Sequence, residues 1–198
     1  KEIKKKKYWE VKFDDELKDI TEQEAVDRFL ELFDEAVRTR LVADVDIGVY
    51  LSGGLDSSAI LSIMSRYCDK RIATFSMVYR QDETTRSSLF NKDAERYNAQ
   101  FMANRFRTEH YEVEASLESL PDDLTEIMRC VDEPFSGAFT YFYLSRFSQN
   151  YVKVILSGDG GDEHFGAYRS HLIARPIYYY NRTRARQGSV RDKDAAWL

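Results

Sequence analysis

Apolar residues recur at three- and four-residue spacing through Ala25, Val26, Phe29, Leu30, Phe33, Ala36, Val37 and Leu41, which predicts a helix over about residues 22–41. Thr21-Glu-Gln-Glu24, just ahead of that run, has the form of a capping box. The period then changes. Ile47-Gly-Val-Tyr-Leu51 is a short apolar run rich in strand formers, and it stops at Ser52-Gly53-Gly54 before a helical stretch over 57–64. The alternation continues with strands over 72–78, 109–113 and 152–157 and helices over 92–106, 120–130 and 140–148, Pro121 lying in a first helical turn. The polar, weakly periodic stretch 80–91 reads as a mobile loop. Strands separated by helices require right-handed crossovers, so the expected fold is a three-layer α/β/α domain with a mainly parallel sheet. In such a sheet, ligands bind beyond the carboxyl ends of the strands.

Composition narrows the class of protein. With 198 residues, 43% hydrophobic and 14% aromatic, the chain can bury a sizeable core as one domain. No stretch approaches the roughly 20 apolar residues of a membrane helix, and the lysine-rich start has no apolar run behind it; a soluble, cytoplasmic protein without membrane partners is expected. The net charge of -5 argues against a general nucleic-acid surface. Two basic runs, Lys4 to Lys7 and Arg182, Arg184, Arg186 and Arg191, read as solvated ends. Cys68 and Cys130 stand outside any metal-ligand spacing and read as buried free thiols. His110 falls in a strand, while His164 and His171 are seven apart on what reads as one helix face; structural or solvated roles suit them better than zinc.

Two strand ends carry the unusual chemistry. In Leu51-Ser-Gly-Gly-Leu-Asp-Ser-Ser58, adjacent glycines let backbone N–H groups approach a ligand, serines add hydroxyl donors, and the following helix directs its positive end inward. That combination suits a phosphate or pyrophosphate; the plain alternative is a turn capped by Asp56 or Ser57. A Walker loop is excluded because the chain has no Gly-Lys pair, a dinucleotide fingerprint because Glu163 stands where the third glycine belongs, and a nucleophile elbow because Gly-x-Ser-x-Gly is absent. The second end, Ser157-Gly-Asp-Gly-Gly-Asp-Glu163, gathers three carboxylates beside three glycines. An anion there would be repelled unless a cation intervened, and magnesium takes one or two carboxylates plus phosphate oxygens. Asp56 and Asp162 would serve if the two loops are neighbours; calcium or a solvated acidic turn remains the alternative.

At these residues the chain resembles the asparagine synthase family. Ser52-Gly-Gly-Leu-Asp-Ser57 is similar to the pyrophosphate-binding loop common to the N-type ATP pyrophosphatases. The narrower likeness is Ser157-Gly-Asp-Gly-Gly-Asp-Glu-His-Phe-Gly-Ala-Tyr168, with Asp132-Glu-Pro134 upstream and the lead-in Arg40-Leu-Val-Ala-Asp-Val-Asp-Ile-Gly48. The resemblance implies an adenine nucleotide alpha hydrolase-like fold and an ATP-dependent amide-forming ligase. A carboxylate, foremost that of aspartate, would be adenylated with release of pyrophosphate, and ammonia from glutamine would then give the amide and AMP.

Carried over by residue, the resemblance assigns Ser52, Gly53, Gly54, Asp56, Ser57 and Ser58 to the pyrophosphate end of ATP. It places Tyr50, Leu51, Met77, Ser157 and Gly158 around the nucleoside, makes Asp56 and Asp162 ligands of Mg2+, and sets Asp159 beside the reacting acyl group. Tyr8-Trp9 resembles the join to a glutaminase domain, so residues 1–20 read as a linker from such a domain and 21–198 as the synthetase domain. A catalytic lysine of the relatives would fall beyond Leu198, and the fragment alone is not expected to turn over. Ser136-Gly-Ala-Phe-Thr140 is shorter than the family's segment and lacks its aspartate, which leaves another acceptor carboxylate open, as it leaves a non-catalytic nucleotide-binding module and a homodimer open.

Overall fold

The computed structural model describes residues 3–10, 19–79, 92–115, 120–131 and 137–186. The expected loop at 80–91, the Asp132-Glu-Pro134 stretch and Arg191 lie outside the described residues. The chain divides into two units, 1–42 and 43–198.

The first unit holds helix α1 (Glu22–Arg40). Its capping box forms as the pattern predicts: Glu24 N–H donates to Thr21 Oγ1 at 3.3 Å, and Thr21 N–H donates to Glu24 Oε2 at 2.9 Å. Two donors that a helix start leaves unpaired are thereby satisfied. Phe29 and Phe33 stack one turn apart with centroids 5.5 Å apart.

The second unit runs β1 (Ile47–Tyr50), α2 (Leu55–Tyr67), β2 (Ala73–Tyr79), α3 (Lys92–Arg105), β3 (Glu109–Ala115), α4 (Leu120–Val131), α5 (Ala138–Ser148), β4 (Val154–Leu156), α6 (Gly161–Phe165) and α7 (Arg169–Arg186). The four strands form one parallel sheet in the order β3-β2-β1-β4, so the expected α/β architecture is the one found. Alternation along β2 separates its two faces. Phe75 pairs in register with Tyr111, and on that face Phe75, Val113, Leu144 and Val152 are buried together with Phe147 and Tyr143 of α5 packed against them. The opposite face carries Glu112, which accepts from Arg96 Nε at 2.9 Å and from Gln100 of α3 at 2.7 Å. Right-handed crossovers in one direction put α2 on the α3 side, which makes the third layer.

Several expectations change. The stretch after Gly166 is a long helix, α7, with Pro176 inside it; a proline that removes one helical hydrogen bond disguises the helical pattern. Arg182, Arg184 and Arg186 belong to that helix. His164 and His171 sit on different helices, α6 and α7, separated by Gly166 in a left-handed conformation. The thiols are free but not buried as expected: Cys68 is half-buried and Cys130 is exposed, because each stands at the last residues of a surface helix or just past it. His110 is structural: its Nδ1 meets Thr74 Oγ1 at 2.9 Å, and burial holds its pKa below the ordinary value.

Candidate functional site

The strand order locates the site before any side chain is considered. From β1 the chain passes to β2 and β3 on one side, and later returns to set β4 on the other. The loops leaving the carboxyl ends of β1 and β4 therefore diverge, and the crevice between them is the topological switch point. Both glycine motifs leave the sheet there.

At the end of β1, Leu51 N–H donates to Phe75 O at 2.9 Å and Ser76 Oγ donates to Leu51 O, which carries the sheet one residue past its last ladder position. The chain then turns at Gly53, whose φ is +75°. A Cβ on Gly53 would lie 2.5 Å from the Ala99 backbone nitrogen and 2.7 Å from Asn98 Cβ; a side chain there would strike α3 as well as strain the backbone. Gly54 is the N-cap of α2 and supplies no side-chain cap, so neither Asp56 nor Ser57 caps the helix. Instead Ser57, 4% exposed, ties the turn from within. Its Oγ accepts from Ser52 N–H at 3.3 Å, lies 3.1 Å from Ser52 Oγ and donates to Gly54 O at 3.3 Å. The first-turn N–H groups of a helix have no acceptor inside it; the N-cap Gly54 N–H donates to Ser52 Oγ at 3.2 Å, and Gly54 has no side chain to cap those that follow.

At the end of β4, the Asp159 carboxylate is held from two directions. Tyr141 Oη donates to Oδ1 at 2.5 Å, and Ser157 Oγ donates to Oδ2 at 2.6 Å. Burial, reinforced by the neighbouring carboxylate, pushes the Tyr141 phenol far above its ordinary pKa. The two loops touch. A Cβ on Gly161 would come within 2.6 Å of Asp56 Cγ and Oδ2, and one on Gly158 within 2.9 Å of Asp56 Cβ and 3.0 Å of Ser57 N. Glycine at these two positions is what lets the acidic loop lie against the start of α2.

A cavity of about 790 Å³ opens between the loops. Tyr50, Leu51, Ser52, Gly54, Asp56 and Ser57 line it from the β1 side. Ser157, Gly158, Asp159 and Asp162 line it from the β4 side, and Met77 contributes from β2. Two expected residues stand outside the wall: Gly53 faces α3, and Ser58 is the half-buried residue whose N–H makes the first helical bond, to Gly54 O at 3.1 Å. Sequence reasoning missed others, among them Arg96 of α3, Glu114 of β3, and Thr140 and Tyr141 of α5. Only the parallel pairing of β2 with β3 and the packing of α5 bring these to the crevice; the one local hint is that Tyr141 and Ser145 are four apart on a helix. A second concavity of about 450 Å³ adjoins the first and shares Tyr141, Gly158, Asp159 and Asp162 with it; Gly160, Glu163 and Tyr168 complete its rim. The Tyr168 hydroxyl donates to Glu163 Oε1 at 2.8 Å and lowers the pKa of that carboxyl.

Among the described residues no group of three or more His, Cys, Asp or Glu side chains is arranged to hold a metal ion. The cavity offers the Asp56 and Asp162 carboxylates beside a loop rich in N–H donors. This donor set suits a hard cation that shares its coordination sphere with phosphate oxygens, not one caged by protein alone.

Comparison with known proteins gives a consistent picture. Residues 28–196 match the family model described as asparagine synthase. The chain is 33% identical over 180 residues to a putative glutamine-hydrolyzing asparagine synthetase of Methanocaldococcus jannaschii, covering 87% of this chain and 32% of that protein. It is 31% identical over 168 residues to a probable glutamine-hydrolyzing asparagine synthetase of Dictyostelium discoideum, covering 81% and 29%. The chain thus spans about a third or less of the length of these relatives. Among solved structures, an NH3-dependent NAD synthetase from Campylobacter jejuni aligns with a TM-score of 0.43 at 14% identity, over 74% of this chain and 60% of that one; a likeness that loose carries no argument here.

Proposed function

The chain belongs to the asparagine synthase family, and from that premise we propose that it is the ATP-using part of a carbon–nitrogen ligase that converts a carboxylate, aspartate foremost, into its amide. The observation that carries this reading is the contact of Gly161 and Gly158 with Asp56, which gives the Ser52-Gly-Gly loop and the acidic loop one common cavity.

In this reading the triphosphate tail lies over the start of α2. The first-turn N–H groups and the hydroxyl of Ser52, which lines the cavity, hold the phosphates, Ser57 keeps the turn in shape, and Gly53 lets the turn form. Tyr50, Leu51, Met77, Ser157 and Gly158 surround the nucleoside. Asp56 and Asp162 would hold Mg2+, which when bound supplies positive charge to the phosphates.

The substrate carboxylate forms an oxygen–phosphorus bond at the α-phosphorus, and the bond to the β-phosphate oxygen breaks. Donors fixed before the reaction take up the charge of the departing pyrophosphate, the largest contribution such a site can make. Ammonia, delivered from glutamine by a glutaminase domain, then bonds to the acyl carbon, AMP leaves with the carbon–oxygen electron pair, and Asp159 accepts the surplus proton. Residues 1–20 fit the linker from that glutaminase domain.

The test is product analysis. The full-length polypeptide that carries this chain, given Mg-ATP, aspartate and glutamine or ammonium, should form AMP, pyrophosphate and asparagine in equal amounts. ADP and phosphate as products would refute the reading. AMP formed only with a different carboxylic acid would move the acceptor and leave the chemistry in place.

A further inference from the structure

Tyr141 enters neither the motif chemistry nor the mechanism above, yet it borders both cavities. We propose that Tyr141 is a positioning residue that fixes the direction of the Asp159 carboxylate at the boundary of the two cavities and serves amide formation through Asp159 alone. The proposal rests on the reading of Asp159 as the proton acceptor.

Asp159 is exposed and stands between Gly158 and Gly160, on a loop with little steric preference of its own. A carboxylate there would exchange among rotamers. Two donors on different oxygens leave it one orientation, but they are not equivalent. Ser157 is two residues away and moves with the loop. Tyr141 comes from α5, which is anchored to the sheet within one turn after the contact. Leu144 is buried in the aromatic core, and Ser145 Oγ, one turn on, lies 3.0 Å from Tyr50 Oη at the end of β1. Tyr141 is thus the donor that refers Asp159 to the frame of the sheet, where the nucleotide loop is also fixed.

The hydroxyl keeps its proton throughout the physiological range, since burial and Asp159 both oppose its ionisation. A carboxylate oxygen can accept a second hydrogen bond, so Oδ1 remains able to receive a proton from the amine. In the step concerned, nitrogen bonds to the acyl carbon, its surplus proton passes to Asp159, AMP departs, and the Tyr141 proton stays in place.

The test uses the full-length polypeptide carrying this chain, with Tyr141→Phe, Asp159→Asn and the double variant. ATP–pyrophosphate exchange with aspartate reports adenylation, and product formation with ammonium reports the amide step. Phenylalanine keeps the ring, so the melting temperature should stay within a few degrees of the unsubstituted protein. Tyr141→Phe should leave exchange within about twofold and slow amide formation by about ten- to a hundredfold, the worth of one hydrogen bond to a charged group. In the Asp159→Asn background the same change should add less than about twofold. The proposal is overturned if Tyr141→Phe lowers exchange and amide formation equally, if it lowers neither, or if its effect persists undiminished without Asp159. Absence of exchange in the unsubstituted protein with aspartate and with other carboxylates would overturn the ligase reading and this proposal with it.

Discussion

Replacing Gly161 with alanine tests the site at its tightest contact. The added methyl would lie 2.6 Å from Asp56 Cγ and Oδ2 and 3.0 Å from Oδ1. The atoms it meets are the far end of a side chain, so the carboxyl can swing away while the backbone stays. To reach ordinary contact at 3.4 Å, Cγ must retreat by about 0.8 Å. That displacement is several times the ±0.2 Å within which a ligand distance must fall, and magnesium is the least tolerant of the common hard cations. Mg-ATP affinity should therefore drop by about ten- to a hundredfold, the loss typical when a ligand's support is disturbed.

The same change should cost little stability. Moving Asp56 off its preferred rotamer costs about 0.5–1.5 kcal/mol. Alanine at the first position of α6 returns up to about 1 kcal/mol over glycine, and the melting temperature should shift by no more than about 2–4 °C.

Two neighbouring glycines serve as controls. A Cβ on Gly158 would press on the Ser57 backbone nitrogen at 3.0 Å as well as on Asp56, so Gly158→Ala should lose both stability and binding. Gly160 has φ +91° with nothing within 4 Å of a Cβ; Gly160→Ala should cost about 1–2 kcal/mol of stability through backbone strain and much less binding. Isothermal titration with Mg-ATP and a thermal melt give both quantities. Unchanged affinity in Gly161→Ala, or an equal loss in Gly160→Ala, would show that Asp56 does not hold the cation.

Three further outcomes are expected. Asp56→Asn and Asp162→Asn should each weaken magnesium-dependent ATP binding at least tenfold and leave the fold intact by circular dichroism; unchanged binding in both removes the metal assignment. Phe75→Ala should destabilise the second unit by about 3–5 kcal/mol in urea unfolding, since Phe75 is fully buried under Tyr111 and Phe147 at centroid distances of 5.4 and 6.3 Å; a loss below about 1 kcal/mol would place the core elsewhere. His110 has a folded pKa below its ordinary 6.5 because of burial, so the unfolded chain binds more protons as the pH falls through that range. Its contribution is complete above about pH 6.5 and is lost as the pH falls toward the folded value. His110→Gln should flatten the decline of melting temperature between pH 7.5 and 5, and an identical slope in both proteins refutes the assignment.

What could be read from the sequence follows the range of the interactions involved. The capping box at Thr21 and Glu24, the strand at Ile47–Tyr50 and the glycine turn after it depend on residues within five positions of one another, and local pattern finds them. The approach of Asp56 to Gly161 spans more than a hundred residues, and only the likeness of both motifs to one family suggested it in advance. Arg96 and Glu114 carry no local signal at all, and Tyr141 only its helical spacing from Ser145. They reach the crevice because β2 pairs with β3 over seven residues and because α5 packs on Phe75, facts of register and packing that no short window contains. Helix α7 was missed for the opposite reason: Pro176 is a local signal that points the wrong way, even though Ile173, Ile177 and Tyr180 recur at helical spacing on either side of it.

The strand order explains why the proposed chemistry would need both motifs rather than one. A single glycine turn at the end of β1 offers N–H groups and a helix start, enough to attract an anion but with no means of carrying the negative charge that builds when a phosphate bond breaks. An acidic loop alone would repel that anion. Placing β4 next to β1, on the side away from β2, sets the two loops against each other across the switch point, and the absence of side chains at Gly158 and Gly161 closes the gap to contact distance. The carboxylates then face the donor loop from a second direction, where a shared cation would turn repulsion into attraction. It follows that inserting residues between Leu156 and Gly161, which would lengthen the acidic loop without altering any side chain named above, should abolish Mg-ATP binding as completely as removing Asp162.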